Sequence, residues 1–143
     1  MRRPGGRVDR RASEANATLS SGSLLAIEIK PARASSSIPW APVQVRHYAN
    51  QLAKWAESCP SSALIIDGMI DQRVQLGLTG HNQPACATPL SVRPVVAVGR
   101  GVSSTLLDRM HTVHQRLVDA GLDDPPLEVY LVNLVGRLDR LDL

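Results

Sequence analysis

The sequence predicts an α/β domain with a mixed central sheet flanked by helices, and three observations carry that prediction. Strand-like runs at 24–30, 94–98 and 127–134 alternate with helical periodicities over about 43–58, 62–76 and 104–120. Pro94-Val95-Val96-Ala97-Val98 is apolar throughout, as a strand covered on both faces must be. Strands that alternate with helices in this way imply right-handed crossovers and a partly parallel sheet. At 143 residues with no internal repeat, the chain predicts one domain over 1–143 with room for a real core.

Taken in order, Arg2-Arg3-Pro4-Gly5-Gly6 reads as a loop, and Arg7-Val8-Asp9-Arg10-Arg11 as a short strand with Val8 inward. Ala12 to Ser23 is small and polar, the composition of a connection. A hairpin follows from this, in which Asp9 can lie alongside Glu28. Leu24-Leu25-Ala26-Ile27-Glu28-Ile29-Lys30 reads as the next strand, stopped at Pro31. Its alternation sends Leu25, Ile27 and Ile29 to one face and Leu24, Ala26, Glu28 and Lys30 to the other. Two charges at the end of such a strand are expensive to desolvate, so they must be paired or used. One reading is a local Glu28–Lys30 ion pair at the sheet rim. The other is a carboxylate that holds a divalent metal beside an ammonium that works on a water.

Residues 32–42 are broken by Pro39 and Pro42. From Val43 a helix is predicted to about Ser58, with Tyr48, Leu52 and Trp55 on its apolar side and Arg46, Asn50, Lys54 and Glu57 on its wet side. Ile65, Ile66, Met69, Ile70 and Val74 recur at helical spacing and predict a second helix over about 62–76. Residues 79–92 read as a loop. After the buried strand, Ser103 or Ser104 caps a third helix that Gly121 ends. Leu127 to Leu134 reads as a last buried strand, and Gly136 to Leu143 as a tail.

Composition narrows the class. Hydrophobic residues make up 43% and charged residues 20% of the chain, as in globular proteins, and no apolar run is long enough to span a membrane. With no Phe, the core is aliphatic. Cys59 and Cys86 fall outside any CxxC spacing, and no apolar h-region follows Met1-Arg2-Arg3, so a reduced, cytoplasmic setting is expected. Residues 1–60 carry nine Arg and Lys against four acids, whereas 61–143 carry seven against nine. The basic half holds the Glu28/Lys30 strand, which suits a polyanionic substrate such as nucleic acid; a solvated Arg-rich arm would give the same count.

Asp9, then Glu28-Ile29-Lys30 nineteen residues on, then Gln44-Val45-Arg46-His47-Tyr48 opening a helix make an ordered constellation. It resembles the PD-(D/E)XK nuclease superfamily, and most closely its RecB-like members with a QxxxY motif. That resemblance spans roughly residues 5–100. It implies a restriction-endonuclease-like fold and a metal-dependent nuclease that hydrolyses phosphodiester bonds of DNA. In this reading Asp9 and Glu28 bind Mg²⁺ (or Mn²⁺), with the Ile29 carbonyl as a further ligand. Lys30 assists the attacking water, and Gln44 and Tyr48, one helical turn apart, point back over the strand ends. A complete domain of this family has a helix and usually a strand before the Asp strand. Met1 stands eight residues before Asp9, so that first helix and strand are expected to be missing, the chain reading as a truncated copy, a fragment completed by an upstream segment or a homo-oligomer, or a divergent minimal form.

The alternative is a non-catalytic, truncated nuclease-fold module that binds nucleic acid or a protein partner. A third reading takes Gly99-Arg100-Gly101-Val102-Ser103-Ser104 as a nucleotide-binding turn with Ser in place of the third Gly, against a capped strand-to-helix turn. Asp108, His111 and His114, at i, i+3 and i+6, could line up as metal ligands or simply edge an amphipathic helix. His81 and Cys86 lack partners at zinc spacing.

Overall fold

The computed structural model describes residues 22–33, 36–81, 83–133 and 135–142. Its centre is the apolar run predicted as a buried strand. β2 (Val92–Gly99) lies between β1 (Leu24–Lys30) and β3 (Glu128–Val132), parallel to both. β4 (Leu138–Leu141) closes the order β1-β2-β3-β4 antiparallel to β3. Val92 and every residue from Pro94 to Val98 are buried, as the unbroken apolar run requires, and Val96 and Val98 are fully so. A proline within a central strand usually argues against the strand. Here the β3 ladder begins only at Val95, one residue past Pro94, so the proline lies outside the doubly paired part.

Among the described residues three helices accompany the sheet: α1 (Ala41–Ser58), α2 (Ser62–Gln75) and α3 (Ser104–Asp119), with a 3₁₀ turn, Ile38–Trp40, leading into α1. Pro42 in the first turn of α1 gives up a backbone donor that has no intrahelical partner there, so it starts the helix rather than breaking it. Ser103 caps α3 as expected, its side chain accepting from the Leu106 amide. The tail expected after Gly136 is instead β4, paired from Leu138 to Leu141. A strand of four residues is too short for its alternation to stand out in sequence.

Because β1, β2 and β3 step in one direction across the sheet, right-handed crossovers place both intervening helical layers on the same face. The core agrees with this. Ala26, Val92, Val96, Val98 and Val129 cluster with Ile38, Ala41, Val45, Ala49 and Met110 from the helical layer. These strand positions share one face by the register Glu28↔Val96↔Val129. The opposite face of β1 is open among the described residues: Ile27 is 51% and Ile29 71% exposed.

Two expectations about α1 need correction. Arg46, expected on the wet side, is buried. Its guanidinium donates to Asp123 Oδ1 at 2.5 Å and to the Pro125 carbonyl at 2.6 Å, tying α1 to the turn that leads into β3. Tyr48, expected on the apolar side, is 50% exposed, because Val45, Ala49 and Leu52 fill the side that meets the sheet. Periodicity gave the helix but not its rotation, since a long side chain can carry its charge to a partner 77 residues away. The predicted strand 7–11 and its hairpin lie outside the described residues. No helix among the described residues is long and apolar enough to cross a membrane.

Removing one partner of a buried pair leaves an uncompensated charge, at a cost of about 3–5 kcal/mol. Arg46→Ala should therefore lower the urea midpoint of unfolding by that equivalent, whereas Asn50→Ala on the exposed side should stay within about 0.5 kcal/mol of the parent. Equal, small effects would mean that the Arg46 clamp contributes little.

Candidate functional site

The carboxyl end of β1 brings Glu28 and Lys30 together. They project to the helix-covered face, where alternation aligns them with Val96 and Val98 of β2. Lys30 Nζ lies 2.7 Å from Glu28 Oε1, with side-chain exposures of 9% and 18%. Two charges withdrawn this far from water against valines are a costly choice for stability, since well-packed apolar residues could replace them. The pair is also at the carboxyl edge of parallel strands, where open α/β sheets commonly bind their ligands.

Gln44 stands in the first turns of α1, which packs over β1 and β2. Its Oε1 is buried with no hydrogen-bond partner. An orphaned buried amide oxygen is unusual and invites a donor or a cation. Tyr48, one turn on, instead turns to solvent and stacks edge-on against the His47 ring at 6.0 Å. Of the five expected site residues, the structure thus joins Glu28 and Lys30, buries the end of Gln44 and leaves Tyr48 half exposed. Asp9 lies outside the described residues.

The donors at hand are of the hard, oxygen type that Mg²⁺ accepts: a carboxylate, an amide oxygen and backbone carbonyls along β1, whose outer edge pairs with no strand among the described residues. Among the described residues no group of three or more His, Cys, Asp or Glu side chains could hold a metal. The Glu28 site fits the ion only with a further carboxylate, the part assigned to Asp9.

The other sequence candidates resolve into structural parts. Gly99 lets the end of β2 approach the segment after β1, since a Cβ there would meet the Ala32 amide nitrogen at 2.9 Å. Gly101 holds a positive φ of 97° that favours glycine, and Ser103 is the α3 cap. The two glycines of the supposed nucleotide turn therefore each have a job in the turn itself, and Ser103, one residue before the position of the third Gly, caps the helix. Asp108 and His111 are exposed, while His114 is buried, so the three do not converge. Cys86 donates its amide to Asp67 Oδ1 at 2.9 Å, and burial, with a hydrogen bond to the Asp67 carboxylate and its charge, pushes the thiol up to about 11.

Two polar groupings escaped the sequence reading. On the sheet face that carries Ile27 and Ile29, Arg93 pairs with Glu128 Oε1, and Tyr130 donates to Glu128 Oε2 at 2.7 Å. Glu128 and Tyr130 are two apart on a strand, a spacing that does signal a shared face, but Arg93 comes from another strand. The second grouping is His114, whose Nδ1 lies 3.8 Å from Asp123 Oδ1 beside the Arg46 clamp. Next to it, a cavity of about 170 Å³ is lined by His114, Leu127, Val129, Arg140, Leu141 and Asp142. It lies at the amino end of β3, away from Glu28 and Lys30.

Comparisons with protein-family models, with curated proteins and with solved structures found no match for this chain.

Burial lowers the His114 pKa in the folded protein, outweighing the opposing pull of the Asp123 carboxylate, with His111 and Arg46 adding to the lowering. The unfolded chain then binds the proton more readily. Stability from this group is fully present above about pH 6.5, the ordinary histidine value, and is lost as pH falls through the lower folded value. Urea midpoints should therefore fall between pH 7.5 and 5, and less so in His114→Gln. An unchanged slope in that variant would remove His114 as the cause. For Cys86, alkylation by iodoacetamide at pH 8 should be slow and should speed up in Asp67→Asn; no change would discount the Asp67 effect.

Proposed function

We propose that this chain is a Mg²⁺-dependent nuclease of restriction-endonuclease-like fold, hydrolysing phosphodiester bonds of DNA. The single observation that supports this most is the Glu28–Lys30 pair, buried at the carboxyl edge of β1 beside the helix whose Gln44 oxygen is orphaned. Its placement on the strand that precedes α1 also agrees with the order of parts in the nuclease resemblance.

In this reading Glu28 and Asp9 hold the ion, which supplies a water of lowered pKa and neutralises charge on the phosphate. Lys30, 2.7 Å from the Glu28 carboxylate, is kept in one place and presents its remaining donors to a phosphate oxygen as charge builds there. Gln44 orients the group that satisfies its buried oxygen. Tyr48, half exposed at the helix surface, meets the substrate rather than the ion. The outer edge of β1 pairs with no strand among the described residues. The first helix of a complete domain of this kind would cover Ile27 and Ile29.

A second reading, a non-catalytic module that binds a protein partner, is favoured by exposed apolar surface. Ile27 and Ile29 on the sheet, and Leu64, Ile65 and Met69 on α2, are all uncovered among the described residues. Nicking of supercoiled plasmid decides between the two. With Mg²⁺ the protein should cut and with EDTA it should not. Lys30→Met should lower the rate about 10²–10³-fold, the loss typical of one transition-state donor, with circular dichroism checking that the variant folds. No metal-dependent cutting by the parent, or equal cutting by Lys30→Met, would overturn the nuclease reading and leave the binding module.

A further inference from the structure

The parallel register brings the carboxyl ends of β1, β2 and β3 to one crest, and three arginines stand on it. Arg33 follows β1 by three residues, just past Ala32, which the end of β2 approaches at Gly99. Arg100 follows β2 directly and donates its amide to the Val132 carbonyl at the end of β3. Arg137 directly precedes β4 in the β3–β4 turn, its amide bonded to Asn133 Oδ1 at 2.8 Å. All three are exposed. Among the described residues Arg33 and Arg137 have no acidic partner, and Arg100 has only an exposed contact of 3.5 Å with Asp139. A surface pair of that length holds its guanidinium weakly and can be exchanged for another anion.

The row they make crosses the sheet from β1 to β4, three inter-strand spacings of about 4.8 Å, or roughly 14 Å. One nucleic-acid strand rises about 3.4 Å per phosphate, so the row matches roughly four phosphates. At the opposite, amino end of the sheet the exposed charges are mixed: Asp119, Asp124 and Asp142 stand with Arg116 and Arg140. A polyanion is therefore drawn to the crest rather than to the far end. Glu28 and Lys30 lie just below the crest, at the end of β1.

We propose that Arg33, Arg100 and Arg137 form a binding track for the phosphate backbone of duplex DNA, running over the carboxyl edge of the sheet. The track rests on the nuclease reading and deepens it, giving the substrate a path across the Glu28–Lys30 pair. Its contacts are to phosphates, so it positions the duplex without reading sequence.

Fluorescence anisotropy with a labelled DNA duplex in EDTA tests the track apart from cutting. The triple variant Arg33→Gln/Arg100→Gln/Arg137→Gln should bind at least roughly tenfold more weakly at about 0.1 M salt, and its dependence of log affinity on log salt should be shallower by about 2.7, the counterions of three phosphate contacts. Arg116→Gln, at the amino end, should bind as the parent does. An unchanged affinity and slope in the triple variant, an equal loss in Arg116→Gln, or no binding by the parent at low salt would each overturn the track. Failure of the nuclease reading looks different. A parent that binds through the three arginines but never cuts with Mg²⁺ keeps the track and removes the catalysis.

Discussion

One geometric constraint governs the molecule: β1, β2 and β3 run parallel and step in the same direction, so both crossovers must return over the same face of the sheet. The main core cluster then lies on that face. Ala26, Val96, Val98 and Val129 face α1, the 3₁₀ turn and α3, while Ile27 and Ile29 face away and stay exposed. The same constraint gathers the ends of all three parallel strands at one crest. Glu28, Lys30, Arg33, Arg100 and Arg137 all lie at or next to those strand ends although they come from both halves of the sequence.

Placing Glu28 and Lys30 on the covered face is what makes them chemically interesting. Had the pleat been shifted by one residue, Ile27 and Ile29 would be buried and the two charges would be solvated at no cost. The register instead puts apolar side chains in water and an ion pair against Val96 and Val98. A sheet that needed only stability would choose the reverse. The arrangement makes sense where the open face receives further cover and where the pair has work to do.

The Arg46 clamp is the second feature that departs from simple layering. Arg46 reaches from α1 to Asp123 and Pro125, holding the turn before β3, and His114 from α3 closes on the same carboxylate. Three elements thus converge on Asp123, which also accepts from the Leu127 amide at 3.2 Å. This grouping lies at the amino end of the sheet, away from Glu28 and Lys30.

How much of this was legible in sequence follows from the range of each interaction. Local patterns set the elements: the alternation in Leu24–Lys30, the unbroken apolar run ahead of Gly99 and the Ser103 cap each depend on neighbours a few residues apart, and each appears as a strand, a buried strand and a capped helix. The common face of Glu28 and Lys30 was legible for the same reason, since a period of two fixes it. Only the tertiary structure decided which of the two β1 faces is covered, because that depends on the direction in which later strands are added. It alone buried Arg46, exposed Tyr48, made a strand of Leu138–Leu141 and set Arg100 beside Asp139. Those outcomes rest on contacts between residues distant in the chain, and no local period records them.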